Sequence, residues 1–143
     1  MSACPLCQPS QHDILWQDGF CRVVLLNDSD YPAYCRVELI QHIKEMTDLD
    51  PSDRARTMKV VFAVETAIRE TINPDKINLA SLGNKTPHMH WHIIPRFESD
   101  KHFPNSHWGE ALRDTKYSAL SNDIKTSLQK NIKTRIECAL DSV

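Results

Sequence analysis

Residues 88–96 read His-Met-His-Trp-His-Ile-Ile-Pro-Arg, with histidine at 88, 90 and 92. No other stretch restricts the fold as much. In an extended strand successive side chains point to opposite faces, so His88, His90 and His92 share one face and Met89, Trp91 and Ile93 the other. On a helix each step of two residues turns about 200°, and the three rings could not act together. Tryptophan and isoleucine favour strands, and Pro95 is expected to end the ladder. The segment predicts a strand with one packed apolar face and three imidazoles roughly 7 Å apart on the other.

The neighbouring segments give that strand something to pair with. Residues 20–26 and 34–40 predict two strands, and the turn residues Asn27 to Pro32 between them make an antiparallel hairpin. Residues 51–72 predict a helix capped by Asp50, with Pro51 at its first position and Asp53 in its first turn. Ala55, Met58, Phe62, Glu65, Ile68 and Ile72 recur every three or four residues, and Val61 and Val64 widen the stripe meant for the sheet. Asn73-Pro74-Asp75 stops the helix. A strand from Lys76, closing on Gly83 and Asn84, leads through the turn Lys85-Thr86-Pro87 into the histidine strand. Residues 98–115 read as a loop. Residues 118–140 predict a second helix in which Leu120, Ile124, Leu128, Ile132, Ile136 and Leu140 recur every four residues. That spacing drifts about 40° per step, so the stripe must spiral and meet two neighbours.

Bulk properties exclude several classes. A chain of 143 residues fits one domain. A net charge of −2 gives no polycationic footprint for nucleic acid. No apolar run of about 18 residues offers a membrane span, and the polar, proline-broken N-terminus has no secretory core. The five cysteines, Cys4, Cys7, Cys21, Cys35 and Cys138, are an odd number, which points to reduced thiols and a cytoplasmic location.

Three imidazoles in a row admit three readings. They can be polar residues on an open face. They can hold a catalytic metal that activates water, since neutral imidazole is a common ligand. Or one of them can attack phosphorus and form a phosphoramidate that water releases, while a neighbour donates to phosphate oxygens. Cys4-Pro5-Leu6-Cys7 adds a separate choice among a redox pair, half a zinc site and two free thiols.

The residues His88-Met89-His90-Trp91-His92-Ile93-Ile94 resemble the histidine triad motif, His-φ-His-φ-His-φ-φ with φ apolar, over all seven positions. The similarity extends over about residues 4–110. "LNDSDYP" resembles the ribose-contacting segment after the second strand, "LGNKTP" the loop before the triad, and "PRFESDKHFPNSHWG" the tail of a bacterial branch described as diadenosine polyphosphate hydrolase-like. The resemblance implies an α+β fold with an antiparallel sheet of about five strands, a packed helix and a C-terminal helix over about 118–140. It further implies one domain spanning 1–143 and a homodimer in which two sheets join.

The implied activity is hydrolysis at the α-phosphate of a nucleoside polyphosphate or phosphoramidate. His90 becomes nucleotidylated, His92 donates to the α-phosphate and His88 orients the site. The partner is a small nucleotide, with no nucleic acid and no membrane, and no cofactor is required for the covalent step. Asn27 or Asp28 is the implied ribose contact, against a reading of both as turn residues. Asn84 stands where the family often has a phosphate-contacting glutamine, and Lys85-Thr86-Pro87 replaces the usual small residues. That departure sustains the alternative of a nucleotide-binding or sensing protein. Some relatives hold a structural zinc, whose ligand positions here are Cys4, Cys7, His42 and His88. His12, His102 and His107 read as surface residues, with His107-Trp108-Gly109 as candidates to line the pocket.

Overall fold

The computed structural model describes residues 3–141. Its strands are β1 (Asp13–Gln17), β2 (Cys21–Leu25), β3 (Cys35–Leu39), β4 (Lys76–Ala80) and β5 (His90–Arg96), and its long helices are α1 (Pro51–Ile72) and α2 (Asn122–Asp141). The sheet order is β1-β2-β3-β5-β4, with every neighbouring pair antiparallel. This is the expected α+β architecture. The hairpin is in register from Cys21 opposite Leu39 to Leu25 opposite Cys35. β5 lies between β3 and β4, so the histidine strand is central rather than at an edge.

Alternation decides the two faces. Cys21, Val23, Leu25, Cys35, Val37, Leu39, Trp91 and Ile93 join one core cluster with the helices. Arg22, Arg36, Glu38, His90 and His92 occupy the alternate positions. Arg36 is opposite His92, and Glu38 is opposite His90. Glu38 is fully buried and accepts from Arg22 Nε at 2.7 Å and Arg36 Nε at 2.8 Å. Arg22 also donates to the carbonyls of Gln8 and Leu6, which pins the N-terminal segment against the sheet.

α1 starts as the sequence predicts: Asp50 accepts from the Asp53 N–H, and Pro51 takes the first position. It ends at Asn73, in the left-handed region at φ 47°. Its buried face keeps Val61, Val64 and Ile68 of the expected stripe, with Met58 and Ile72 packed against the core, but not Phe62. Thr57, Val60, Val61, Ala63, Val64, Ala67 and Ile68 are buried, whereas Phe62 is 51% exposed. The helix packs against both α2 and the sheet, so a broad face of valine and alanine is covered rather than a narrow line of larger residues.

α2 begins at Asn122, four residues later than the sequence predicts, because Ser121 caps it by accepting from the Ile124 N–H. Leu128, Ile132 and Ile136 are fully buried, while Ile124 is 40% exposed. The helix touches both α1 and β1, which is the two-neighbour contact its four-residue repeat demands.

The strands differ from the sequence reading at several points. β1 was not expected: a bulge between Ile14 and Trp16 breaks its alternation and leaves Ile14 exposed. β4 stops at Ala80, and a loop containing Gly83 at φ +72° follows. Pro95 does not end the ladder. It lies in β5 opposite Ile77, where pairing with β3 has already finished at Ile93 and a missing N–H can be accommodated.

Candidate active site

β5 begins at His90, so strict alternation holds for His90 and His92, and His88 sits just before the strand. The two strand histidines lie with ring centroids 5.0 Å apart. His90 Nδ1 is 2.7 Å from the His88 carbonyl oxygen. A carbonyl only accepts, so Nδ1 carries the ring proton and the lone pair is left on Nε2. His92 Nδ1 is 2.6 Å from the Tyr34 hydroxyl. Burial, reinforced by His90, Arg36 and His107, pushes His92 down to about 3, so its ring is neutral. Burial also raises the Tyr34 phenol and keeps it protonated. Tyr34 therefore donates to Nδ1, and the proton of His92 stands on Nε2. One ring thus offers a lone pair and its neighbour an N–H.

His90 and His92 line a hollow of about 750 Å³ with Leu82, Gly83, Asn84, Lys85, Thr86 and Trp108. Of the residues the sequence singled out, Asn84 and Trp108 meet the histidines here. Asn27 and Asp28 do not. They line a separate hollow of about 410 Å³ with Leu25, Leu26, Ala33 and residues 117–120. Asp28 Oδ1 accepts from the Asp30 N–H at 2.8 Å, as a turn residue does.

The loop after β5 delivers Trp108. Arg96 and Asp100, both buried, form its hub: Asp100 accepts from Arg96 Nε and Nη2 and from the backbone N–H groups of Phe97, His102 and Phe103. Arg113 ties the loop shut through the carbonyls of Asp100 and Phe103. His102 meets the Tyr31 hydroxyl, and His107 packs edge-on to Tyr31 and Tyr34. These two histidines are thus half-buried rather than on the surface, and burial lowers the pKa of His107. Trp108 meets His92 at 5.2 Å in a near-perpendicular ring contact. Tyr34 was not singled out from the sequence. It precedes β3 in the chain, and only the strand pairing brings it to His92.

His88 turns to other partners. Its Nε2 donates to the Leu39 carbonyl at 2.6 Å, which leaves the lone pair on Nδ1. That atom is 3.5 Å from Cys4 Sγ, 3.5 Å from Cys7 Sγ and 3.1 Å from His42 Nδ1. The four ligand atoms all lie within 4.8 Å of one another. Zinc bonds of about 2.3 Å to sulfur and 2.0 Å to nitrogen at tetrahedral angles place S and N roughly 3.5 Å apart, so these residues fit that ion. Among the described residues this is the one cluster of metal-ligand type. Both nitrogens of His88 thus face Leu39 and the cysteine cluster rather than the hollow beside His90 and His92.

A model of the HIT domain matches residues 8–99. The chain belongs to the HIT domain family. Solved structures similar to this HIT chain include a histidine triad protein from Bradyrhizobium japonicum, 25% identical, covering 86% of this chain and 89% of that one with a TM-score of 0.69. Another, from Sinorhizobium meliloti, is also 25% identical, covering 87% and 89% with a TM-score of 0.69. A zinc-bound histidine triad family protein from Mycobacterium smegmatis shares the fold at 18% identity, covering 90% and 89% with a TM-score of 0.63. Among curated proteins none matches the sequence. Among the described residues of the HIT chain, no helix is long and apolar enough to cross a membrane.

Proposed function

We propose that this HIT protein hydrolyses a nucleoside polyphosphate or phosphoramidate, of the diadenosine polyphosphate type, through a nucleotidyl-His90 intermediate. The single observation that carries the reading is the 2.7 Å bond from His90 Nδ1 to the His88 carbonyl, which leaves Nε2 as a nucleophile beside the hollow. Nε2 attacks the α-phosphorus, a P–N bond forms, and the bond from phosphorus to the leaving group breaks. The His88 carbonyl holds the proton of the nucleotidylated ring. His92 Nε2–H donates to a phosphate oxygen as charge builds there. Water then attacks phosphorus, the P–N bond breaks, and the nucleoside monophosphate leaves with a proton released to solvent. Asn84 is assigned to the phosphate and Asn27 or Asp28 to the ribose.

Cys4, Cys7, His42 and His88 would hold a structural zinc, which supplies a closed tetrahedral link and no open position for water. Strand β4 is a sheet edge with no further strand beside it among the described residues, the surface through which two copies would join as a homodimer. The protein is assigned to the cytoplasm on its reduced cysteines. A second reading, a nucleotide-binding protein without turnover, is favoured by the exposed Asn84 and Lys85 in the loop before β5.

The deciding experiment incubates the protein with diadenosine tetraphosphate and follows AMP release and intact mass. A trapped adduct of one AMP is expected on the wild type and none on His90→Ala, with turnover falling on the order of 10⁴–10⁶-fold. Tight nucleotide binding with neither adduct nor turnover selects the second reading.

A further inference from the structure

The hollow beside His90 and His92 has a wall that the proposed chemistry leaves unused. Two of the large apolar residues that the fold leaves exposed, Leu82 at 59% and Trp108 at 51%, line it. Lys85, an exposed cation, lines it too. Trp108 is not a stray surface residue. It packs on His107 at 4.1 Å and His92 at 5.2 Å between ring centroids. Its turn is tied back by Arg96 Nη2 on the Asn105 carbonyl, Asn105 Nδ2 on the Glu110 carbonyl and the Gly109 N–H on the Ser106 carbonyl. Asn27 and Asp28, the residues assigned to the nucleoside, border a different hollow. The Leu82–Trp108 wall is therefore free to receive the other end of the substrate.

We infer that Leu82, Lys85 and Trp108 form a leaving-group subsite for a second planar ring system joined to the scissile phosphate through further phosphates. A flat ring laid on the indole covers Trp108 and Leu82 together, and the ammonium of Lys85 neutralises the linking phosphates. A compact leaving group such as ammonia would reach neither apolar residue. This rests on the assignment of His90 as nucleophile, which fixes where the scissile phosphate lies.

The test compares diadenosine tetraphosphate, whose leaving group ends in adenine, with adenosine 5′-phosphoramidate, whose leaving group is ammonia. Trp108→Ala is expected to lower kcat/KM for the dinucleotide roughly 5- to 100-fold, the range for losing one base–aromatic stack. The fall on the phosphoramidate should be smaller than that on the dinucleotide by at least about fivefold, and Trp108→Phe should recover most of the dinucleotide's loss. An equal fall on both substrates overturns the inference, because Trp108 would then act through His92. No fall on either also overturns it. Calorimetric titration of diadenosine tetraphosphate into His90→Asn, with and without Trp108→Ala, separates this from the hydrolase reading. The double variant should bind more weakly by the same factor, and equal affinities overturn the subsite even if the wild type turns over. Should the wild type turn over neither substrate, the hydrolase reading fails while the binding comparison still decides the subsite.

Discussion

His92 owes its tautomer to one hydroxyl. Tyr34 is 3% exposed and its Oη lies 2.6 Å from His92 Nδ1. Tyr34→Phe keeps the ring that packs against His107 and removes only the donor. His92 would then be free to carry its proton on Nδ1, with no N–H aimed at phosphate. A loss of about tenfold in kcat is expected, the equivalent of one ordinary hydrogen bond of roughly 1.4 kcal/mol. Nitrogen-15 spectra of the imidazoles should show the His92 tautomer shifting in the variant, a change that a packing defect alone would not produce. The same spectra should place the wild-type His92 midpoint near 3, with the ring neutral at every pH where the protein is folded. A midpoint near 6.5 would mean that the ring is solvated rather than buried. His90 and His92 were legible from alternation alone, since a strand gives them no other arrangement. Tyr34 was not legible, because its proximity depends on β3 and β5 pairing with Cys35 opposite Ile93.

At the scale of elements, the loop after β5 behaves as a unit because one carboxylate holds it. Asp100 is fully buried, and Arg96 beside it is 3% exposed. Burial alone would raise the Asp100 carboxyl, but Arg96 and the backbone N–H groups of Phe97, Phe103 and His102 outweigh it and hold the group below the usual carboxylate range. A depressed carboxyl contributes stability that is complete above the unfolded value near 3.8 and is lost as pH falls through the folded one. The histidines act in the same sense. His92 and His107 are both lowered by burial, so the unfolded chain binds protons below about 6.5 that the folded chain refuses. Melting temperature should therefore decline steadily from pH 7 to pH 4, and a flat profile would contradict the burial of these rings. Asp100→Asn leaves Arg96 without a counter-charge and should cost about 3–5 kcal/mol, a fall in Tm on the order of 10 °C. Other elements show why sequence patterns stop short. The α1 stripe holds at Val61, Val64 and Ile68 but not at Phe62, because valine and alanine, not the largest residues, face two partners at once. β1 is not legible in the sequence because its bulge destroys the period of two.

Across the whole molecule, the N-terminal segment, the stretch after β3 and the entry to β5 converge on one point. Cys4 and Cys7 come from the first, His42 from the second and His88 from the third. Backbone bonds knit the last two together, with the Met89 N–H on the Ile43 carbonyl at 2.7 Å and the Leu39 N–H on the Met89 carbonyl at 3.2 Å. The residue that would ligate the metal through Nδ1 also supplies, through its own carbonyl, the acceptor for His90. Ordering at the cysteine cluster and ordering at His90 are thus coupled through a single residue. One equivalent of zinc per chain is expected in protein purified without chelator, measured by elemental analysis, and less than about a tenth in Cys7→Ser. At a free zinc concentration 1,000 times the dissociation constant, binding stabilises by about 4 kcal/mol, so chelation should lower Tm by roughly 8–16 °C. The amide of Met89 and the imidazole resonances of His90 should broaden or shift on chelation, while those of α2, remote from the cluster, should hold. Wild-type protein free of zinc, or chelation that leaves Tm and the His90 resonances unchanged, would mean that the four side chains meet by packing alone and that His90 is set without them.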